Sequence, residues 1–260
     1  MTMWTALGRA VAATGLFLCA AAAGAETTDP CAVPGYLLFG DSQLQHVATT
    51  AANDKALKIV VLGGPSASLP GPDGASFAFP ARLEVALGRR LLNLKVSVAT
   101  DIRYRQTAEQ MVDDIEKLVA DQKPNLVVWQ TGTYDALRGI DPEEFRAAVS
   151  EGVEKLQSAG VDVVLMNMQY SPRTDSVVAL AAYADGMRWV AREREVPVYD
   201  RLAIMRHWYD AGHFDLYAAT KDMKTAKSVH DCIGRTLAAS IIDAARLEPQ
   251  EKVQEGTAPQ

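Results

Sequence analysis

Basic charge, histidine and cysteine are all scarce in this chain of 260 residues, and each shortage removes a class of function. Lysine and arginine number 26 against 32 acidic residues, a net charge of -6 with both signs mixed along the sequence. There is therefore no basic footprint for nucleic acid and no polybasic patch for a membrane surface. Four histidines and three cysteines are present, and no two histidines share a ligand-like spacing with carboxylates. Metal chemistry is unsupported. Gly63, Gly64 and Gly71 form no phosphate-loop pattern, and the Lys-Ser/Thr that should follow is missing; no cofactor is expected. No internal repeat and no second domain are visible, while 48% hydrophobic content is ample for one sizeable core.

The first 25 residues read as an export signal. Arg9 ends a short n-region, "AVAATGLFLCAAAA" is apolar, and Ala23-Gly24-Ala25 offers small residues for cleavage before Glu26. A mature chain starting near Glu26 is periplasmic or secreted and carries no membrane span. Cys19 admits lipidation as an alternative, although Leu18 before it is bulkier than such sites use. Cleavage leaves Cys31 and Cys232 as the remaining cysteines. In an oxidising compartment the expectation is a disulfide between them, and the alternative is two buried thiols.

Five short apolar runs recur with helical segments between them: Ile59 to Leu62, Val96 to Ala99, Leu126 to Trp129, Val163 to Met166 and Val196 to Tyr199. Runs that are apolar on both faces suit a buried parallel sheet. Met111, Ile115 and Leu118 build one stripe at helical spacing, Phe145, Val149, Val153 and Leu156 a second, and Val229, Ile233, Leu237 and Ile241 a third. The alternation predicts an α/β fold, a three-layer α/β/α sandwich on a five-stranded parallel sheet. Residues 26–57 form an N-terminal extension, 58–247 the domain, and 248–260 a polar tail expected to be disordered. A monomer is expected.

Two serines compete for attention. Gly40-Asp41-Ser42 has only "YLLF" before it and a short helical segment after it, so Asp41 or Ser42 reads as a helix N-cap. Ser66 has a strand behind it in "KIVVLGG", two glycines for a turn, and the helical "FAFPARLEVALGRR" downstream. Functional groups of open α/β sheets gather where strands end, and Ser66 is the candidate nucleophile.

From about Lys58 to Ile242 the chain resembles the SGNH or GDSL hydrolases, a family with a flavodoxin-like sandwich. Gly64-Pro65-Ser66-Ala67-Ser68 resembles the family's first block, and "VVWQTGTYDALRG" its third, except that Tyr134 stands where the family has its oxyanion-hole asparagine. The second block places a glycine after the second strand, and here "DIRYRQTAEQ" has none. The last block is Asp-x-x-His before the final helix, and its positions fall on Lys221-Asp222-Met223-Lys224. Lysine takes the place of histidine.

The resemblance implies a serine ester hydrolase or acyl transferase built on Ser66, with Lys224 as its base and Gly64, Arg103, Thr133, Tyr134, Asp135 and Asp222 lining the site. The departures imply the opposite. A serine hydroxyl needs a base, a lysine is protonated unless its pKa falls by several units, and each lost oxyanion donor costs about 10² to 10³ in rate. Tyr134 is expected to fill its pocket, and His46, His207, His213 and His230 are the alternative bases. The expectation is a binding or accessory protein of the cell envelope whose ligand is a small molecule, a glycan or an acyl compound.

Overall fold

The computed structural model describes residues 29–217 and 223–249. The segment expected to be an export signal, with Cys19, the positions Lys221 and Asp222, and the tail from residue 250 lie outside the described residues. The strands are β1 (Ala56–Gly63), β2 (Lys95–Ile102), β3 (Leu126–Gln130), β4 (Asp162–Met166) and β5 (Val198–Tyr199). All pair in parallel, in the order β2-β1-β3-β4-β5. The helices are α1 (Gln45–Asp54), α2 (Gly74–Phe77), α3 (Phe79–Arg90), α4 (Ala108–Val112), α5 (Ile115–Gln122), α6 (Thr133–Arg138), α7 (Pro142–Ser158), α8 (Pro172–Asp175), α9 (Ala181–Glu193), α10 (Arg201–Asp210) and α11 (Lys224–Ala244).

The chain steps from β1 to β2 in one direction and from β3 to β5 in the other. Right-handed crossovers then put α3 and α7 on opposite faces of the sheet. Accordingly α3 packs on α11, while α4, α5 and α9 pack around α7. The three predicted stripes are buried where expected: Phe145, Val149, Val153 and Leu156 on α7, Val229, Ile233, Leu237 and Ile241 on α11, and Met111, Ile115 and Leu118 across α4 and α5. This is the predicted three-layer sandwich. Its reversal of direction falls between β1 and β3, and ligands of such sheets bind outside the carboxyl ends at that point.

Three local expectations need correcting. The run Val196 to Tyr199 yields only two strand residues, because Pro197 offers no N–H to the ladder; its carbonyl still accepts from Leu165 N–H at 3.0 Å. β2 is an edge strand and is half exposed rather than buried on both faces. Its Val98 N–H is covered by Glu84 Oε2 at 2.7 Å, which blunts the edge. The N-cap of α1 is Leu44, not Asp41 or Ser42, and it caps without a side-chain bond. Leu44 is buried and donates its N–H to Ala244 O at 3.1 Å, while Val47 N–H, in the first turn of α1, is satisfied by Asp162 Oδ2 at 2.9 Å. A carboxylate from β4 does the capping, and sequence proximity carries no trace of it.

Cys31 and Cys232 form a disulfide, with Cα atoms 5.0 Å apart across 201 residues. It fastens the N-terminal segment to α11. Among the described residues no helix is long and apolar enough to cross a membrane.

Replacing both cysteines with alanine is expected to lower unfolding stability by about 2–4 kcal/mol, read from urea denaturation; an unchanged midpoint would show that the crosslink contributes nothing. A second prediction separates two costs at the turn after β3. Gly132 has φ +98°, and an added Cβ would lie 2.5 Å from Met168 Sδ, whereas Gly139 has φ +65° and open space around it. Gly139→Ala should cost about 1 kcal/mol of backbone strain, and Gly132→Ala about 2 kcal/mol or more, because it adds a clash. Equal losses would refute the packing argument.

Candidate functional site

Each strand delivers residues to the carboxyl edge. After β1 the turn Gly64-Pro65-Ser66 enters a 3₁₀ turn, Pro65–Ala67. After β2 comes Arg103, at the end of β3 Gln130 and then Gly132, Thr133 and Tyr134, after β4 Gln169, and after β5 Arg201. The first four of these groups, with Met111 of α4 and Ala226 and His230 of α11, line a cleft of about 470 Å³ centred on Ser66. Arg201 lies beneath its floor and is fully buried.

Ser66 Oγ accepts from Gln130 Nε2–H at 2.7 Å and from Arg201 Nη1–H at 3.3 Å. The other Arg201 terminal nitrogen donates to Ser66 O at 3.2 Å and to Gln169 Oε1 at 3.4 Å. Burial lowers the Arg201 pKa to about 10, so it is charged at any neutral pH. Gln130 reaches Ser66 only because residue 63 is glycine: a Cβ there would meet Gln130 Oε1 at 2.9 Å.

His230 is the histidine of the cleft, and its chemistry is set from behind. Its Nδ1 accepts the backbone N–H of Phe79 at 2.9 Å. Burial first, and the Arg201 charge second, push its pKa down to about 3. The ring is neutral, and with Nδ1 accepting, the proton sits on Nε2. His230 is therefore a donor toward the cleft and has no lone pair for a serine proton.

The remaining candidates are distributed as follows. Gly64, Arg103, Thr133 and Tyr134 line the Ser66 cleft. Arg103 is held by Asp101 at 2.8 Å and Asp114 at 2.6 Å, and its own N–H is used on Gly63 O at 2.7 Å. The Tyr134 ring faces the cleft with Arg138 stacked at 5.5 Å. Asp135 does not line it: buried behind α6, it accepts Ala108 N–H at 2.9 Å and so completes the amino end of α4. Burial raises its pKa against those backbone bonds. Lys224 is exposed at the start of α11 and is not among the lining residues, while Asp222 is outside the described residues.

Ser42 lies elsewhere, in an open groove of about 1080 Å³ beside the first residues of β4 and β5. His46 lines the same groove, but no hydrogen bond joins it to Ser42 among the described residues. His207 and His213 meet edge to face, and His213 Nδ1 pairs with Pro30 O at 3.0 Å; neither lines the Ser42 groove or the Ser66 cleft. Arg201, Gln130 and Gln169 were not singled out from the sequence. The available signal was position, since each is among the first polar residues at or after a strand's carboxyl end. No group of residues able to hold a metal ion is present among the described residues.

Comparison with known proteins bears on the fold and the family. Comparison with curated proteins gives no match. Among solved structures the chain is similar to TesA, at 18% identity with a TM-score of 0.58 over 72% of this chain and 99% of that one. It is similar to a lipase/acylhydrolase from Enterococcus faecalis at 20% identity and 0.57, over 75% and 100% of the two chains. A catalytic mutant of Axe2, an acetylxylan esterase from Geobacillus stearothermophilus, matches at 18% and 0.57, over 71% and 94%. At such identities the likeness is one of fold, the GDSL/SGNH esterase and lipase type. A family model matches residues 30–247, nearly all that the structure describes. On that match the chain belongs to the Non-GDSL lipase-like family.

Proposed function

We propose that this protein is an exported member of the family that binds a ligand in the Ser66 cleft without hydrolysing it, as an accessory protein of the cell envelope. One observation carries the reading: among the described residues Ser66 Oγ accepts from two donors and faces no base. Gln130 is an amide, which in either orientation cannot take a proton, and Arg201 and the Nε2–H of His230 can only give one. Export is supported by the Cys31–Cys232 disulfide, which suits an oxidising compartment.

A second reading has one observation in its favour. A guanidinium at 3.3 Å would stabilise a Ser66 alkoxide, as an unconventional esterase or acyl transferase requires. Stabilising the anion leaves open which group accepts the proton: the described cleft holds no carboxylate, and the one unprotonated nitrogen of His230, Nδ1, is taken by the Phe79 N–H. A fluorophosphonate probe decides between the two. Ser66 is expected to stay unlabelled, and Ser66→Ala to change p-nitrophenyl acetate turnover by less than about tenfold; stoichiometric labelling that Ser66→Ala abolishes would establish the esterase instead.

The protonation of His230 has its own signature. The folded pKa of about 3 lies below the ordinary 6.5, so between those values the unfolded chain binds a proton that the folded chain refuses. The contribution is complete above pH 6.5 and is lost toward pH 3, at roughly 1.4 kcal/mol per pH unit. Asp135 and Asp162, whose pKa values burial raises from 3.8, act in the opposite sense just above that value. The difference between the parent protein and His230→Asn, which retains an acceptor for Phe79 N–H, isolates the histidine. The parent should lose stability faster than His230→Asn as pH falls from 6.5 to 4.5 in urea titrations. Parallel curves would mean that His230 is free to protonate, and it would return as a candidate base.

A further inference from the structure

Beneath Ser66 the fold buries a positive charge that no carboxylate among the described residues balances. Arg201 has no exposure, and its partners are neutral: Ser66 Oγ at 3.3 Å, Ser66 O at 3.2 Å and Gln169 Oε1 at 3.4 Å. Its Nε has no acceptor among the described residues. The neighbouring carboxylate, Asp200, is committed to Arg188 Nε at 2.6 Å and to Asn167 Nδ2 at 2.7 Å. A buried cation without a counter-charge is costly, and such charges are ordinarily paired. Among the described residues the protein side of this pair is missing.

The cleft above supplies no replacement, since no aspartate or glutamate among the described residues lines it. It offers hydrogens instead. With its oxygen accepting from Gln130 and Arg201, Ser66 has its own hydroxyl hydrogen left for a ligand, and the Nε2–H of His230 is a second donor. The rest of the wall includes Pro65, Leu69, Met111 and Ala226, which are apolar. Pockets of about 300–1,000 Å³ with a few convergent polar groups suit small ligands, and this one is about 470 Å³.

We infer that the cleft takes an aliphatic carboxylate, a free acid rather than an ester. Its oxygens accept from Ser66 and His230 above Arg201, and its chain lies along Leu69 and Met111. The inference rests on the reading of this cleft as a binding site. A neutral ester would leave the guanidinium uncompensated, and inorganic phosphate would leave the apolar wall unused.

Calorimetric titration of the full chain with hexanoate, hexanamide and inorganic phosphate tests it. Hexanoate should bind at least about tenfold more tightly than hexanamide, although the two share a chain and differ in charge. That comparison needs no variant. In Arg201→Met the two affinities should converge, and in Arg201→Lys part of the preference should return; His230→Asn should weaken hexanoate several-fold and leave hexanamide unchanged. No measurable hexanoate binding, equal affinity for the amide, tighter binding of phosphate, or a hexanoate preference that survives in folded Arg201→Met would each overturn the assignment. The outcomes stay distinct from those of the preceding section. Labelling of Ser66 with the hexanoate preference intact would refute only the non-hydrolytic reading, and an unlabelled Ser66 with no preference would refute only this one.

Discussion

The contact between Arg201 and Ser66 is the constraint around which the rest of the site is arranged. A guanidinium without solvent keeps its charge, because even at a pKa of about 10 it is protonated at neutral pH. His230 and Tyr199 both feel that charge. His230 is pushed further toward neutrality by that charge, and its remaining proton is fixed on Nε2 by the Phe79 N–H. Ser66 is turned into an acceptor on the protein side and a donor on the cleft side. Ser66 and His230, the side chains that look most like parts of a hydrolase, therefore both offer hydrogens toward the cleft. The direction of these protons is set at Ser66 by Gln130 and the buried Arg201, and at His230 by burial, the Arg201 charge and the Phe79 N–H.

The scaffold that makes this possible follows the ordinary logic of a doubly wound sheet. Sheet order β2-β1-β3-β4-β5 places the reversal between β1 and β3, so the turn after β1 and the turn after β3 face one another. Two glycines allow them to come close. Gly63 leaves room for Gln130 to pass to Ser66, and Gly132 takes a left-handed conformation against Met168 that a side chain could not share. α11, packed on α3, then brings His230 against the amino end of α3, where Phe79 N–H is still without an intrahelical partner. The bond that stops His230 from acting as a base is thus also a helix cap, and it needs no catalytic purpose to exist.

The architecture was largely legible in the sequence because its signals are local. Four of the five apolar runs became the strands expected, and the stripes on α7 and α11 are buried residue for residue. Block order along the chain placed Ser66, Arg103, Thr133 and Tyr134 in one cleft for the same reason, since each directly follows a strand. The failures come from partners distant in sequence. Asp135 sits in a site-like motif, yet Ala108 N–H, 27 positions away, claims its carboxylate. Asp41 and Ser42 resemble caps, yet Asp162, 115 positions from Val47, does the capping. Arg201 is the sharpest case. An arginine after "VPVYD" at a helix start looks like a solvated surface residue, and only the packing of Phe79 and Ser66 over it makes it a buried charge.

That last point bears on how function changes within a shared fold. Removing a catalytic base leaves a serine that is merely unactivated, and such a serine could be regained by one substitution. Under the proposed reading the change goes further, because the Arg201 charge polarises the surroundings of Ser66 against a base. Placing a neutral imidazole near Ser66 would restore little while Arg201 stays beneath it, since a fixed positive charge also opposes the imidazolium that would form when the serine proton moves. The same charge that would favour a Ser66 alkoxide therefore disfavours its partner cation. A ligand that arrives already negative avoids that conflict: it brings the missing charge and needs no proton to move. On the proposed reading, binding an acid uses only donors that the described cleft holds, whereas opening an ester needs a proton acceptor that the described residues do not supply.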